Sequence, residues 1–175
     1  DMNVWIYDEN SYPSGFAGGW VPEVMPESIG RGLSVKETAK PDEIPASALV
    51  VYRIADQRFQ NVTEQFRSGG TLEPGRFLYA EIVRAGPSPW HGGRSYVDLI
   101  YPGVTEKFLE VTLDAYQREV GKWFVSRIPG SFTDEPRLLA AGQIAWTDDL
   151  PERFREEYGY DLLDHLPSLM RPIGD

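Results

Sequence analysis

Tyr96-Val97-Asp98-Leu99-Ile100 is an aromatic and β-branched run that reads as a strand. Behind it Val104, Phe108, Val111 and Ala115 recur at helical spacing, with Glu106, Lys107, Glu110 and Asp114 off that stripe. One amphipathic helix is therefore expected over 103–120, stopping at Gly121. Residues 128–133 read as the next strand. Pro151 sits where a first helical turn tolerates it, and a helix from there to Tyr158 would end at Gly159. A last short helix is expected over 162–170. Strands alternating with amphipathic helices imply a parallel sheet covered by helices.

Toward the amino end, Val4-Trp5-Ile6-Tyr7 reads as a buried strand that leaves through Asp8-Glu9-Asn10. Pro13, Gly15, Gly18, Gly19, Pro22 and Pro26 make 11–26 a long loop that excludes helix and central strand. Long ordered loops tend to carry function. Residues 49–55 and 77–83 also look like strands, with turns at Asp56-Gln57-Arg58 and Ser68-Gly69-Gly70 and a weaker strand near 61–65. Their spacing suggests a small antiparallel insertion.

The expected organisation is a first barrel strand with its Gly/Pro-rich active-site loop over 1–33, the antiparallel β insertion over 34–84, and βαβα barrel units over 85–175. The fold class that follows is α/β, about half of a (β/α)8 TIM-type barrel. A complete barrel takes roughly 250 residues, and this chain has 175. It reads as a piece of something longer. Its open sheet edges call for a cover, either a second copy in a homo-oligomer or the remaining half of the barrel.

A chain that is 41% hydrophobic can bury a core rather than stay disordered. Its net charge of -10 repels nucleic acid and anionic membranes but not an uncharged ligand such as a sugar. It has no cysteine, which excludes disulfides, thiolate metal sites and a thiol nucleophile. No apolar run approaches the length of a membrane span. No Ser-His-Asp order, phosphate-binding glycine loop or zinc-spaced histidine pair is present.

Side chains alternate between the two faces of a strand. If the aliphatic sets (Val4 with Ile6, Val97 with Leu99, and Phe132) face the helices, then Glu9, Asp98 and Glu135 face inward. Inward carboxylates suit glycoside hydrolysis, in which one group protonates the leaving oxygen while another activates water or attacks the sugar. Trp20, Trp90, Trp146 and Tyr12 lie in loop contexts, where rings can pack on sugar faces. Each residue also has a plainer reading. Asp134 caps a helix that Pro136 begins, Asp8 and Glu9 are an ordinary strand exit, and Asp98 is buried with an arginine. His91 is then a hydrogen-bonding loop residue, His165 is structural, and the loop tryptophans plug the bottom of the insertion.

Trp5-Ile6-Tyr7-Asp8-Glu9, followed by Pro13-Ser14-Gly15 and Ala17-Gly18-Gly19, resembles a signature of α-L-rhamnosidase-like proteins related to glycoside hydrolase family 106. Three further stretches resemble the same group in the same order. These are 87–93 leading into Tyr96-Val97-Asp98-Leu99, then 130–136 with Phe132-Thr133-Asp134-Glu135-Pro136, then Trp146-Thr147 with Tyr158-Gly159-Tyr160-Asp161-Leu162. The resemblance implies a (β/α)8 catalytic domain, an inverting hydrolysis of O-glycosidic bonds, and Glu135 as the general acid. It places the second catalytic carboxylate on a strand well downstream.

On this reading Asp8, Glu9, Trp90, His91, Asp98, Asp134 and Trp146 bind the sugar, with Glu9 a substrate or metal ligand before it is a catalyst. No cofactor is required outright, although the resemblance admits a calcium ion that helps hold the sugar. It also favours a secreted or periplasmic location. The alternatives are a non-catalytic carbohydrate-binding module, or a structural piece whose edges pair with a partner chain.

Overall fold

Among the described residues of the computed structural model, namely 2–8, 11–56, 58–138 and 141–170, seven strands form. They are β1 (Ile6–Tyr7), β2 (Arg31–Thr38), β3 (Val50–Ala55), β4 (Arg58–Asn61), β5 (Arg76–Arg84), β6 (Ser131–Phe132) and β7 (Ile144–Trp146). The chain divides into two units, Asp1–Arg31 with Arg84–Ala141 and Gly32–Val83 with Gly142–Asp175.

The second unit is built on a curled antiparallel sheet in the order β4-β3-β5-β2-β7. β3 lies between β4 and β5, with Val50 opposite Ala80 and Tyr52 opposite Leu78. Alternation then sorts the side chains. Leu33, Val35, Val50, Tyr52, Leu78 and Ala80 pack with Trp146, Leu162 and Leu166. Val51, Phe77 and Tyr79 turn the other way onto Ile44, Ala48 and Val62. Both faces are covered, which is why 49–52 and 77–80 are nearly continuous apolar runs rather than alternating ones. Burial of each such side chain contributes about 1.5–3 kcal/mol.

The helix Leu150–Tyr158 ends at Gly159, whose φ of 78° is the left-handed stop expected from the sequence. The next helix is shorter than expected, spanning Leu162–His165 before a 3-10 turn over Leu166–Leu169. Asp161 caps it by accepting from the Leu163 N–H at 2.9 Å. That bond, followed by the Arg155 guanidinium, holds the Asp161 carboxyl below its ordinary range.

This arrangement overturns the half-barrel. The stretch expected to be a minor insertion supplies β3, β4 and β5 of the largest sheet, and β2 and β7 join it unforeseen. Among the described residues the parallel pairing is the two-stranded ladder of β1 with β6, pairing Ile6 with Ser131 and Tyr7 with Phe132, together with an isolated bridge of Phe124 with Ile128. Residues 96–100 form no strand; Val97 makes an isolated antiparallel bridge to Ile29.

In the first unit Phe16, Val21, Tyr96, Val97 and Val104 make the core. The single helix expected over 103–120 is two, Val104–Val111 and Leu113–Val120, because the backbone leaves helical geometry at Thr112. The Thr112 hydroxyl bonds back to the Phe108 carbonyl at 2.5 Å, the local competition that bends helices at β-branched hydroxyl residues. The glycine-rich loop is also more ordered than expected. It holds a 3-10 turn over Ala17–Gly19 and a five-residue helix over Trp20–Val24, whose first turn accommodates Pro22. Gly15, at φ 114°, packs where any Cβ would lie 2.5 Å from Leu99 Cδ2.

Candidate functional site

The chain leaves β1 through Asp8 and leaves β6 through Thr133, and the parallel pairing brings these exits side by side. Asp8 is 8% exposed. Its Oδ1 accepts from the Ser14 hydroxyl at 2.9 Å and its Oδ2 from the Thr133 hydroxyl at 2.6 Å. Ser14 also accepts from the Asp134 N–H at 2.8 Å, and its own N–H donates to the Asp134 carbonyl at 2.9 Å. Tyr96 closes the cluster by donating to the Ser14 carbonyl at 2.6 Å. A buried carboxylate is tolerated because hydroxyl donors replace its water. Asp8 thus ties the glycine-rich loop to the end of β6.

The segment so tied presents Asp134 and Glu135. Asp134 Oδ2 accepts from Tyr7 Oη at 3.0 Å. Glu135 is exposed, and its Oε2 accepts from Tyr12 Oη at 2.5 Å. Its φ is 44°, a left-handed conformation that costs a side-chain-bearing residue roughly 1–2 kcal/mol. Residues 133–138 contain no helix, so the reading of Asp134 as a helix cap is set aside. The turn at Glu135 is instead held by the contacts of its neighbours.

Tyr12 links the acid to two more groups. Its carbonyl accepts from Trp90 Nε1 at 2.6 Å, and the Arg137 guanidinium lies 5.5 Å from the centre of its ring. The hydrogen bond to Glu135 raises the Tyr12 phenol above its ordinary value; burial adds to this and Arg137 opposes it. Trp90 is 67% exposed, with its indole nitrogen anchored and much of its ring in solvent. The result is an open surface site with one exposed carboxylate, a phenol, a guanidinium and a tryptophan ring.

The other expected site residues are not part of it. His91 packs against Phe16 and Tyr96, at 5.1 and 5.6 Å between ring centres, and burial lowers its pKa. It ends a 3-10 turn over Pro89–His91. Asp98 is buried at 7% exposure; Oδ1 accepts from the Ile100 N–H, and Oδ2 has no hydrogen-bond partner among the described residues. Trp146 belongs to the core of the other unit. Glu9 lies outside the described residues. The expected facing also fails at β6, because Tyr7 and Phe132 sit opposite each other in register with rings 5.3 Å apart and share one side.

Calcium needs six to eight oxygen ligands. Among the described residues no three acidic or histidine side chains gather as a metal site, and both Asp8 oxygens are taken by hydroxyls.

Ser14, Thr133 and Arg137 were not foreseen as site residues. Ser14 belongs to the glycine-rich signature and Arg137 stands two residues beyond Glu135, but neither spacing reveals the contact made. No family model, curated protein or solved structure matches the chain.

Proposed function

We propose that this chain contributes the proton-donating side of a glycoside hydrolase site, acting on O-glycosides, with α-L-rhamnosides the first class to test. The observation that carries the reading is Glu135, an exposed carboxyl held in a left-handed turn by a buried hydrogen-bond cluster and touching Tyr12, which in turn anchors Trp90. A strained backbone held by its surroundings is typical of functional sites. An exposed indole with a fixed edge offers a flat apolar face to a sugar ring.

In hydrolysis the Glu135 proton passes to the glycosidic oxygen as the bond to the anomeric carbon breaks. Water adds at that carbon and gives its proton to a second carboxylate. Asp8 and Asp98 are too buried for that second role. Their burial favours a second reading for this chain by itself, that it binds carbohydrate without turning it over.

Turnover of alkyl and nitrophenyl glycosides by the protein and its Glu135→Gln variant tests the first reading. The variant should lose about 10²–10⁴-fold on alkyl glycosides, whose leaving oxygen needs the proton, and less on nitrophenyl glycosides. Equal turnover by both proteins on alkyl glycosides would refute the role of Glu135. Glycan binding by a protein without turnover would instead support the second reading.

A further inference from the structure

A separate cleft of about 470 Å³ opens in the same unit. Its walls include the rings of Tyr7, Trp20 and Tyr116 with the polar groups of Asp8, Thr112 and Glu119. Its volume falls within the usual range of small-molecule sites, roughly 300–1,000 Å³. The lining also includes Ala17 and Ala115, which have no side chain beyond Cβ to fill the space. Trp20 and Tyr116 are 55% and 42% exposed.

From this we infer that the cleft is a second saccharide subsite for an uncharged sugar residue of an oligosaccharide, an inference that rests on the glycosidase reading of Glu135. Three rings among a few hydrogen-bonding groups match the two-sided chemistry of a sugar, apolar on its C–H faces and polar at its edge. Charge selects the class. The lining contains two carboxylic side chains and no lysine, arginine or histidine. Arg94, 5.8 Å from the centre of the Trp20 ring, is ion-paired with Glu23. A uronate or sulfated sugar would meet like charge with no compensating cation. Tyr7 connects the cleft to the acid, lining the former while donating to Asp134, the residue before Glu135.

The test is binding of the full chain to an array carrying neutral and uronate-bearing glycans, repeated with Trp20→Ala, Tyr116→Ala and the cleft-filling Ala115→Leu. Circular dichroism confirms that each variant is folded. Neutral oligosaccharides should be retained in preference to uronates, and each variant should weaken retention about tenfold or more. Absence of any retained neutral glycan, equal retention of uronates, or wild-type binding by all three variants would overturn the subsite. Failure of the two readings separates cleanly. If the cleft variants lose binding while Glu135→Gln keeps full turnover, the acid assignment fails and the cleft stands. If Glu135→Gln loses turnover while the cleft variants bind normally, the reverse holds.

Discussion

Thr133 Oγ1 donates to Asp8 Oδ2 at 2.6 Å, joining the residue just past β6 to the one just past β1 across 125 positions of sequence. The bond is buried on the Asp8 side, and the Ser14 hydroxyl completes the carboxylate's shell. Asp8→Ala would leave both hydroxyls without their acceptor. It should destabilise the fold by about 2–3 kcal/mol, with Asp8→Asn costing less because one carbonyl oxygen remains. Urea unfolding of the two variants checks the order; equal stability of Asp8→Ala and the parent would show that the cluster does not hold the segment.

The backbone at Glu135 gives a prediction independent of activity. With φ at 44°, a residue carrying a Cβ is strained where glycine is not. Glu135→Gly should therefore be about 1 kcal/mol more stable than Glu135→Ala. Both remove the carboxyl, so the difference reports conformation alone. Thermal melting of the pair is sufficient.

Tyr12 should titrate above the ordinary tyrosine value of 10.0, because its O–H donates to Glu135. The sign follows from linkage. A group whose folded pKa is raised keeps its proton in the folded chain after the unfolded chain has released it. Its stabilising contribution is thus complete below the unfolded value and disappears as pH rises through the folded one. Ultraviolet absorbance of phenolate ionisation should show the Tyr12 step moving down in Glu135→Ala. An unmoved step would mean that the two groups are not bonded in solution.

Gly142 and Gly86 make a paired test of sheet packing. A Cβ on Gly142 would stand 2.3 Å from the Leu33 carbonyl oxygen, a backbone atom held in β2, whereas one on Gly86 meets nothing within 4 Å. Gly142→Ala should lose about 1–3 kcal/mol, while Gly86→Ala should be close to neutral. Comparable denaturation midpoints would remove the close approach of Gly142 to β2.

Local chemistry alone was enough for several elements. The stop at Gly159, the apolar runs that became β3 and β5 and the first strand near Ile6 were all legible in the sequence, because each depends on neighbours a few residues away. What local chemistry cannot carry is the choice of partner. A run such as Val50-Val51-Tyr52 states that both its faces are buried, not whether its neighbour runs parallel or antiparallel, and the antiparallel ladders of β3 decided that in space. The alternation argument failed for the same reason, since the side to which Phe132 turns is set by its register with Tyr7, 125 residues away. Sequence singled out Glu135 as an acid worth attention. Only the tertiary structure put Asp8, Ser14 and Thr133 beneath it and Tyr12 against it, since hydrogen bonds between distant residues exist only once the chain has closed on itself.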